Sequence, residues 1–228
     1  MVARVSAVQG KKMAEPRKAT LPHEDLLEHL VHDLRNPLGV IAYFAEAIPT
    51  AAEGERDELC ERLRVNAQRA LHVLEEFALL VDLRRGQSRP VAQPWDALEL
   101  VEELATEAEM MERRQGQVRR MVDVPRPLCV PRTHVACALR ALLRETLRAT
   151  APEDGLDFTV RLDGRQALFQ LTAPLRRDPE LGTVARLPTD SIEVELAERV
   201  ARLHGGRCLI EQRSGRGVIT LALPAPRE

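Results

Sequence analysis

No stretch of the chain approaches the roughly 20 apolar residues that a membrane-spanning helix needs. The first residues lack the apolar core of a secretion signal. The expectation is therefore a cytoplasmic protein with no membrane partner. A surplus of either charge is also missing, since 33 Lys and Arg stand against 35 Asp and Glu. That balance gives no electrostatic case for nucleic acid or an anionic lipid surface, so any phosphate chemistry must be local. Cysteine is scarce, and Cys60, Cys129, Cys137 and Cys208 show neither CxxC spacing nor a nearby histidine pair. Neither a zinc site nor a disulfide framework is indicated, and packed, reduced thiols are expected. Internal repeats and low-complexity segments are absent as well.

What remains is a chain of 228 residues, 44% of them apolar, long enough for one large domain or two small ones. Residues 1–20 carry Arg4, Lys11, Lys12, Arg17 and Lys18 among few large apolar groups, which reads as a flexible basic arm. From about Leu21 to Ile48, Leu26, Leu27, Leu30, Val31, Leu34, Leu38 and Ile41 recur at spacings of three and four, the period of an amphipathic helix. Pro49, Thr50 and Gly54 punctuate it. A second helical stripe follows from Glu55 to Arg85 through Leu59, Leu63, Ala67, Ala70, Leu71, Leu74, Phe77, Ala78 and Val81, ended by Gly86. Such a hairpin cannot bury both stripes alone, so residues 21–88 are expected to form a four-helix bundle as a homodimer.

Residues 89–228 change character. Asp96 to Gln115 reads as a helix with Asp96 and Glu99 at capping-box spacing, and Gln117 to Val124 as a possible strand. Thr133 to Thr150 is a strongly apolar helix. Leu156 to Leu162 and Gln166 to Leu171 alternate around Asp163-Gly164, a β-hairpin pattern. A helix from Ser191 to His204, closed by Gly205-Gly206, precedes a second hairpin, Arg207 to Gln212 and Val218 to Leu223 around Ser214-Gly215-Arg216-Gly217. The fold class expected is α+β, with a helical hairpin followed by helices layered on an antiparallel or mixed sheet.

On the first helix, Val31-His32-Asp33-Leu34-Arg35-Asn36-Pro37-Leu38 resembles the phosphoacceptor box of histidine kinases, His-acidic-x-x-Thr/Asn-Pro followed by an apolar residue. The resemblance implies that His32 is the phosphoacceptor. A neutral imidazole is nucleophilic near pH 7 and can form a phosphoramidate. Asn36, one helical turn on, shares its face and is placed to orient a water or a phosphoryl oxygen. Asp33 corresponds to the acidic neighbour that holds the tautomer or takes a proton, while Arg35 reads equally as a phosphate ligand or a solvated charge. Pro37 is expected to bend the helix past the acceptor. His29 and His32 lack a third ligand, so no metal site is expected.

A second resemblance covers about Pro94 to Pro224 and is to the ATP-binding domain of the same kinases, clearest in Ala197 to Arg207 and the tail through Leu223-Pro224. Here the pattern breaks. Where that family carries a Gly-x-Gly loop opening the last helix, this chain has Ser191-Ile192-Glu193-Val194. Glycine lets backbone approach phosphates at a helix N-terminus, whereas Asp190 and Glu193 have capping-box spacing and Glu195 adds negative charge. Glu145 stands where a magnesium-binding Asn is usual. Leu171 to Arg177 supplies no Asp-x-Gly-x-Gly turn, and only Arg177 to Leu187 remains for an ATP lid. The expectation is a degenerate site with no cofactor bound by this chain.

The function so implied is that of ChpT-type histidine phosphotransferases, relaying a phosphoryl group through His32 between the aspartates of response-regulator receiver domains, with Mg²⁺ expected on the receiver. An atypical ATP-dependent histidine kinase and a non-catalytic receiver-binding adaptor are the alternatives.

Overall fold

A computed structural model of the chain describes residues 23–89, 91–124, 127–151, 153–176, 185–187, 189 and 191–225. The expected basic arm lies outside the described residues, as does Asp190.

The two periodic stripes form the expected hairpin. Helix α1 spans His23–Ala47 and α2 spans Glu53–Arg85, joined through a 3-10 turn at Ile48–Thr50. Gly86, at φ 67°, closes α2, and its N–H reaches the carbonyls of Asp82 and Leu83. Only part of each stripe is buried within the chain. Leu26, Phe44, Ala70, Val73 and Leu80 turn inward, and Leu26 and Leu80 join the apolar cluster of the following domain. Leu27, Val31 and Leu38 on α1 and Leu71 and Leu74 on α2 stay exposed. Pro37 is buried inside α1. Among the described residues no helix is long and apolar enough to cross a membrane.

The second part is an α/β layer. Its elements run β1 Gln93–Trp95, α3 Ala97–Glu112, β2 Val118–Asp123, β3 Leu128–Val130, α4 Arg132–Ala149, β4 Leu156–Asp163, β5 Gln166–Pro174, α5 Ile192–Leu203, β6 Arg207–Arg213 and β7 Arg216–Pro224. Five strands pair in the order β2-β4-β5-β7-β6. Only β2 and β4 are parallel, so the sheet is mixed. The apolar faces of the three helices, led by Leu100 and Leu104, Leu139 and Leu143, and Leu196 and Val200, meet Phe158, Phe169 and Leu221 from the strands.

Several boundaries differ from the sequence reading. Strands β1 and β3, which pair antiparallel as a separate two-stranded sheet, were not anticipated, because three residues cannot display an alternating pattern. They are fixed from outside: the buried Trp95 indole N–H donates to the Val130 carbonyl at 2.8 Å. Helix α3 stops at Glu112 rather than Gln115 because Arg113 turns left-handed, at φ 55°. Its cap is Asp96, which accepts from the Leu98 N–H at 2.7 Å, whereas Glu99 lies toward Arg132. The last hairpin has a two-residue turn, Ser214-Gly215, both at positive φ, so that Arg216 and Gly217 belong to the strand. Cys60 is exposed rather than packed.

Gly206 is where α5 hands over to β6, and a Cβ there would meet the backbone carbonyl of Ala222 on the paired strand. Gly206→Ala is therefore expected to destabilise by about 1–3 kcal/mol, as overpacking does when the neighbour is backbone. Urea unfolding monitored by circular dichroism measures this, and an unshifted midpoint would contradict it.

Candidate functional site

His32 lies on the outer flank of α1 with 84% of its side chain exposed. Its Nδ1 is 3.2 Å from Asp33 Oδ1. An ionised carboxylate only accepts, so this contact favours the tautomer with its proton on Nδ1 and its lone pair on Nε2. Helical geometry sets what else shares the flank. Arg35 and Asn36, three and four residues on, line the same open groove as His32, together with Gly39, Tyr43, Phe44 and, from α2, Arg62. This groove has a volume of about 770 Å³. The four site residues expected from the sequence therefore come together on one stretch of α1, with Asn36 beside the ring.

On the other side of His32 a cleft of about 530 Å³ separates α1 from the second domain. Glu28 and Asp33 form one wall, and Glu145, Glu193, Ser191 and Arg148 the other. Burial first, and Glu193 second, push the Glu145 carboxyl above its ordinary value even though Arg148 lies at 3.1 Å. Four carboxyl groups thus face one guanidinium across this cleft.

Behind that wall lies a network that sequence reading missed. Arg144 on α4 is buried and donates to Glu76 of α2 at 2.9 and 2.6 Å and to Glu193 of α5 at 3.0 Å. Burial works against the Arg144 charge, yet Glu76 and Glu193 together hold its proton more tightly than usual. Two carboxylates share one guanidinium, and burial raises the Glu76 carboxyl despite the pull of Arg144. Next to it Arg84 reaches Glu195 at 3.0 and 2.5 Å, and Arg199 reaches the same carboxylate at 2.6 Å. Higher on α2, His72 Nδ1 is 2.8 Å from Glu107, which also accepts from Arg140, and Arg69 pairs with Glu112. Burial alone would raise the Glu107 carboxyl, but His72 and Arg140 bring it below its ordinary value.

These contacts correct two details of the sequence reading. The cap of α5 is Ser191, whose hydroxyl accepts from the Val194 N–H at 3.3 Å, and Glu193 turns to Arg144 instead of closing a box. Glu195 does not confront a ligand with bare negative charge, because Arg84 and Arg199 neutralise it. Leu171 to Pro174 continues β5, with Thr172 and Pro174 paired to Val218 and Arg216. Of the segment expected for a lid, only residues 185–187 are described, and Leu187 is buried. Among the described residues no group of three His, Cys, Asp or Glu could hold a metal ion.

With this geometry in view, residues 23–86 match the family model of the His Kinase A (phospho-acceptor) domain. Residues 23–86 are thus similar to a phospho-acceptor hairpin, and the α/β domain with a mixed sheet that follows has a fold like that of solved histidine kinases. The Acinetobacter baumannii histidine kinase AdeS superposes with a TM-score of 0.58 at 14% identity, covering 86% of this chain and 98% of that one. Full-length ShkA in complex with AMPPNP gives 0.53 at 17% identity, covering 91% of this chain and 47% of that one. A bacterial phosphotransferase gives 0.48 at 17% identity, with 89% and 98% covered. At these identities the first two similarities are ones of fold, and the third, below 0.5, adds nothing to the assignment. No curated protein matches the chain.

Removing one member of a buried ion cluster leaves uncompensated charge. Arg144→Leu is expected to cost about 3–5 kcal/mol, because Glu76 and Glu193 would face each other without a cation. Guanidinium unfolding measures the loss, and an unchanged midpoint would show that the cluster does not hold the two parts together.

Proposed function

We propose that the protein is a histidine phosphotransferase, similar to the ChpT type, that accepts a phosphoryl group on His32 from a receiver-domain aspartyl phosphate and passes it to another receiver. The observation that carries this reading is an exposed imidazole that lines an open groove with its Nδ1 3.2 Å from Asp33, beside a domain whose α5 N-terminus is engaged by its own ion pairs. In the transfer the Nε2 lone pair attacks phosphorus. The bond from phosphorus to the aspartyl oxygen breaks, its electron pair leaves on the receiver carboxylate, and the Nδ1 proton passes toward Asp33 or water. The return step reverses each change. Positioning and electrostatics supply the catalysis, so this chain need only present an oriented ring, while Mg²⁺ is expected on the receiver.

Nucleotide is not part of this proposal. A helix N-terminus binds a triphosphate through free N–H groups and backbone that can come close. Here Ser191 takes the Val194 N–H, no glycine opens the helix, and Glu193 and Glu145 stand where phosphates and Mg²⁺ would have to enter. A carboxylate alone could still hold Mg²⁺, but with strand β5 in place of an Asp-x-Gly-x-Gly turn no adenine subsite is recognisable among the described residues. The residues present do not fit the group.

The exposed apolar residues on both hairpin helices, Leu27, Val31 and Leu38 with Leu71 and Leu74, support a homodimer built as a four-helix bundle. Three predictions test the function. Phosphorylated receivers drawn from a panel are expected to transfer acid-labile label to the wild type, and His32→Ala is expected to lose it completely. Labelled ATP alone is expected to give none; label on His32 from ATP would restore the kinase reading, and no label from any receiver would favour an adaptor. Sedimentation equilibrium is expected to give twice the chain mass of 25.5 kDa, and a Leu71→Glu, Leu74→Glu variant to sediment as a monomer; a wild-type monomer would contradict the bundle.

A further inference from the structure

We propose that Arg62 of α2 is a phosphoryl-binding residue, gripping the group on His32 from the opposite helix, and that the phosphoryl enters and leaves only through the α1–α2 groove. This rests on His32 being the acceptor.

His32 stands on a ridge between two depressions of opposite character. The one toward the second domain is walled by Glu28, Asp33, Glu145 and Glu193, with Arg148 as the balancing guanidinium. An incoming phosphoryl group carries close to two negative charges, and that side repels it. The depression on the other side is lined by His32, Arg35, Asn36, Gly39, Val40, Tyr43, Phe44 and Arg62, with two guanidiniums, one amide and no carboxylate. The same ring therefore meets a disfavoured face and a favoured one, and the difference is set by residues from three other helices.

Arg35 and Asn36 follow His32 on its own helix and move with it. Arg62 is the one charged group that the second helix contributes to this groove. Its guanidinium is planar and forked, suited to two phosphoryl oxygens at once, which an ammonium cannot match. At rest it pairs with Glu58, one turn back on α2, where both side chains are well exposed at 39% and 65%. An exposed pair of this kind is weak, so Arg62 can leave it at little cost when a dianion arrives. Its backbone is held meanwhile: Asn66 donates to the Arg62 carbonyl at 2.8 Å. Arg62 and Asn36 also line the adjoining depression that runs toward Met110 and Met111 at the end of α3. With Val40 they are common to both depressions, at the border where the two meet.

The test uses the full chain and potassium phosphoramidate as donor. The donor's P–N bond breaks, ammonia leaves, and a new P–N bond forms at His32 Nε2. Arg62→Gln is expected to label about tenfold more slowly, the scale of one charge-assisted hydrogen bond lost. Arg62→Lys is expected to fall between the two, about threefold or more below the wild type but faster than Arg62→Gln, since it keeps the charge and loses the fork. Arg64→Gln, on the neighbouring surface and paired to Glu61, is expected to label as the wild type does. Phosphorus NMR supplies a readout that a structural role would not move. A guanidinium beside the phosphoryl favours its dianion, so the titration midpoint of phospho-His32 is expected to rise by about 0.5–1 unit in Arg62→Gln and to change little in Arg62→Lys. A wild type labelled at His32 whose Arg62→Gln variant keeps the same rate and midpoint overturns the role of Arg62 alone. A wild type that takes no label at His32 overturns the acceptor reading beneath it.

Discussion

Arg144 cannot shed its proton, so burying it obliges the chain to bring carboxylates to it. Those carboxylates come from far away in sequence: Glu76 is 68 residues earlier on α2, and Glu193 is 49 residues later on α5. The hairpin and the second domain are thereby set at one angle. The seam continues along one face of α2, where Arg69, His72, Glu76 and Arg84 succeed each other at steps of three, four and eight, with Leu80 packed between the last two. That spacing is the helical repeat, and every charged member meets a partner on α3, α4 or α5. An apolar seam of the same area would tolerate sliding. Ion pairs with directional bonds do not, and we read their retention here as orientation bought at the expense of stability.

Fixing that angle fixes what His32 sees. The cleft on its domain side exists because α4 and α5 are held beside α1, and its acidic wall is the outward edge of the same cluster, Glu145 and Glu193. Glu193 serves two purposes with one carboxylate: it completes the coordination of Arg144, and its field adds to the burial that chiefly raises the Glu145 carboxyl. The domain thus acts on the surroundings of His32 through charge at a distance. In the reading proposed for the chain, it closes one approach to the imidazole and leaves the other open.

The hairpin, the mixed-sheet layer and the Gly86 end of α2 were legible in the sequence because each is a local pattern. Periods of 3.6 and 2, a glycine past α2 and an Asp-Gly turn are written within a few residues of one another. That the candidate residues His32, Asp33, Arg35 and Asn36 share one stretch of helix was legible for the same reason, since they lie within five residues. Strands β1 and β3 were not, because their pairing depends on Trp95 reaching Val130 across 35 residues. Nor was the ion seam. Glu193 read as half of a capping box and Glu195 as added negative charge so long as Arg144, Arg84 and Arg199 could not be placed beside them, and the spacing of charges on α2 is equally that of a solvated face. Arg62 escaped notice because only the antiparallel return of α2 brings it to the groove of His32.

In the reading proposed for the chain, the same distinction accounts for a domain of this shape that keeps its fold without handling a nucleotide. Nothing in the core of Phe158, Phe169, Leu143 and Val200 depends on a ligand. What a nucleotide site requires, close backbone approach and free N–H groups at a helix start, lies at the rim, where the chain substitutes Ser191 as a cap and carboxylates as partners for its own arginines. An arginine buried at that rim would be intolerable without a counter-charge, and Glu76 and Glu193 supply it permanently. A site that satisfies its own cation has no remaining electrostatic demand for an external anion. The consequence is a rigid support that holds one helix, and with it one imidazole, in a constant field.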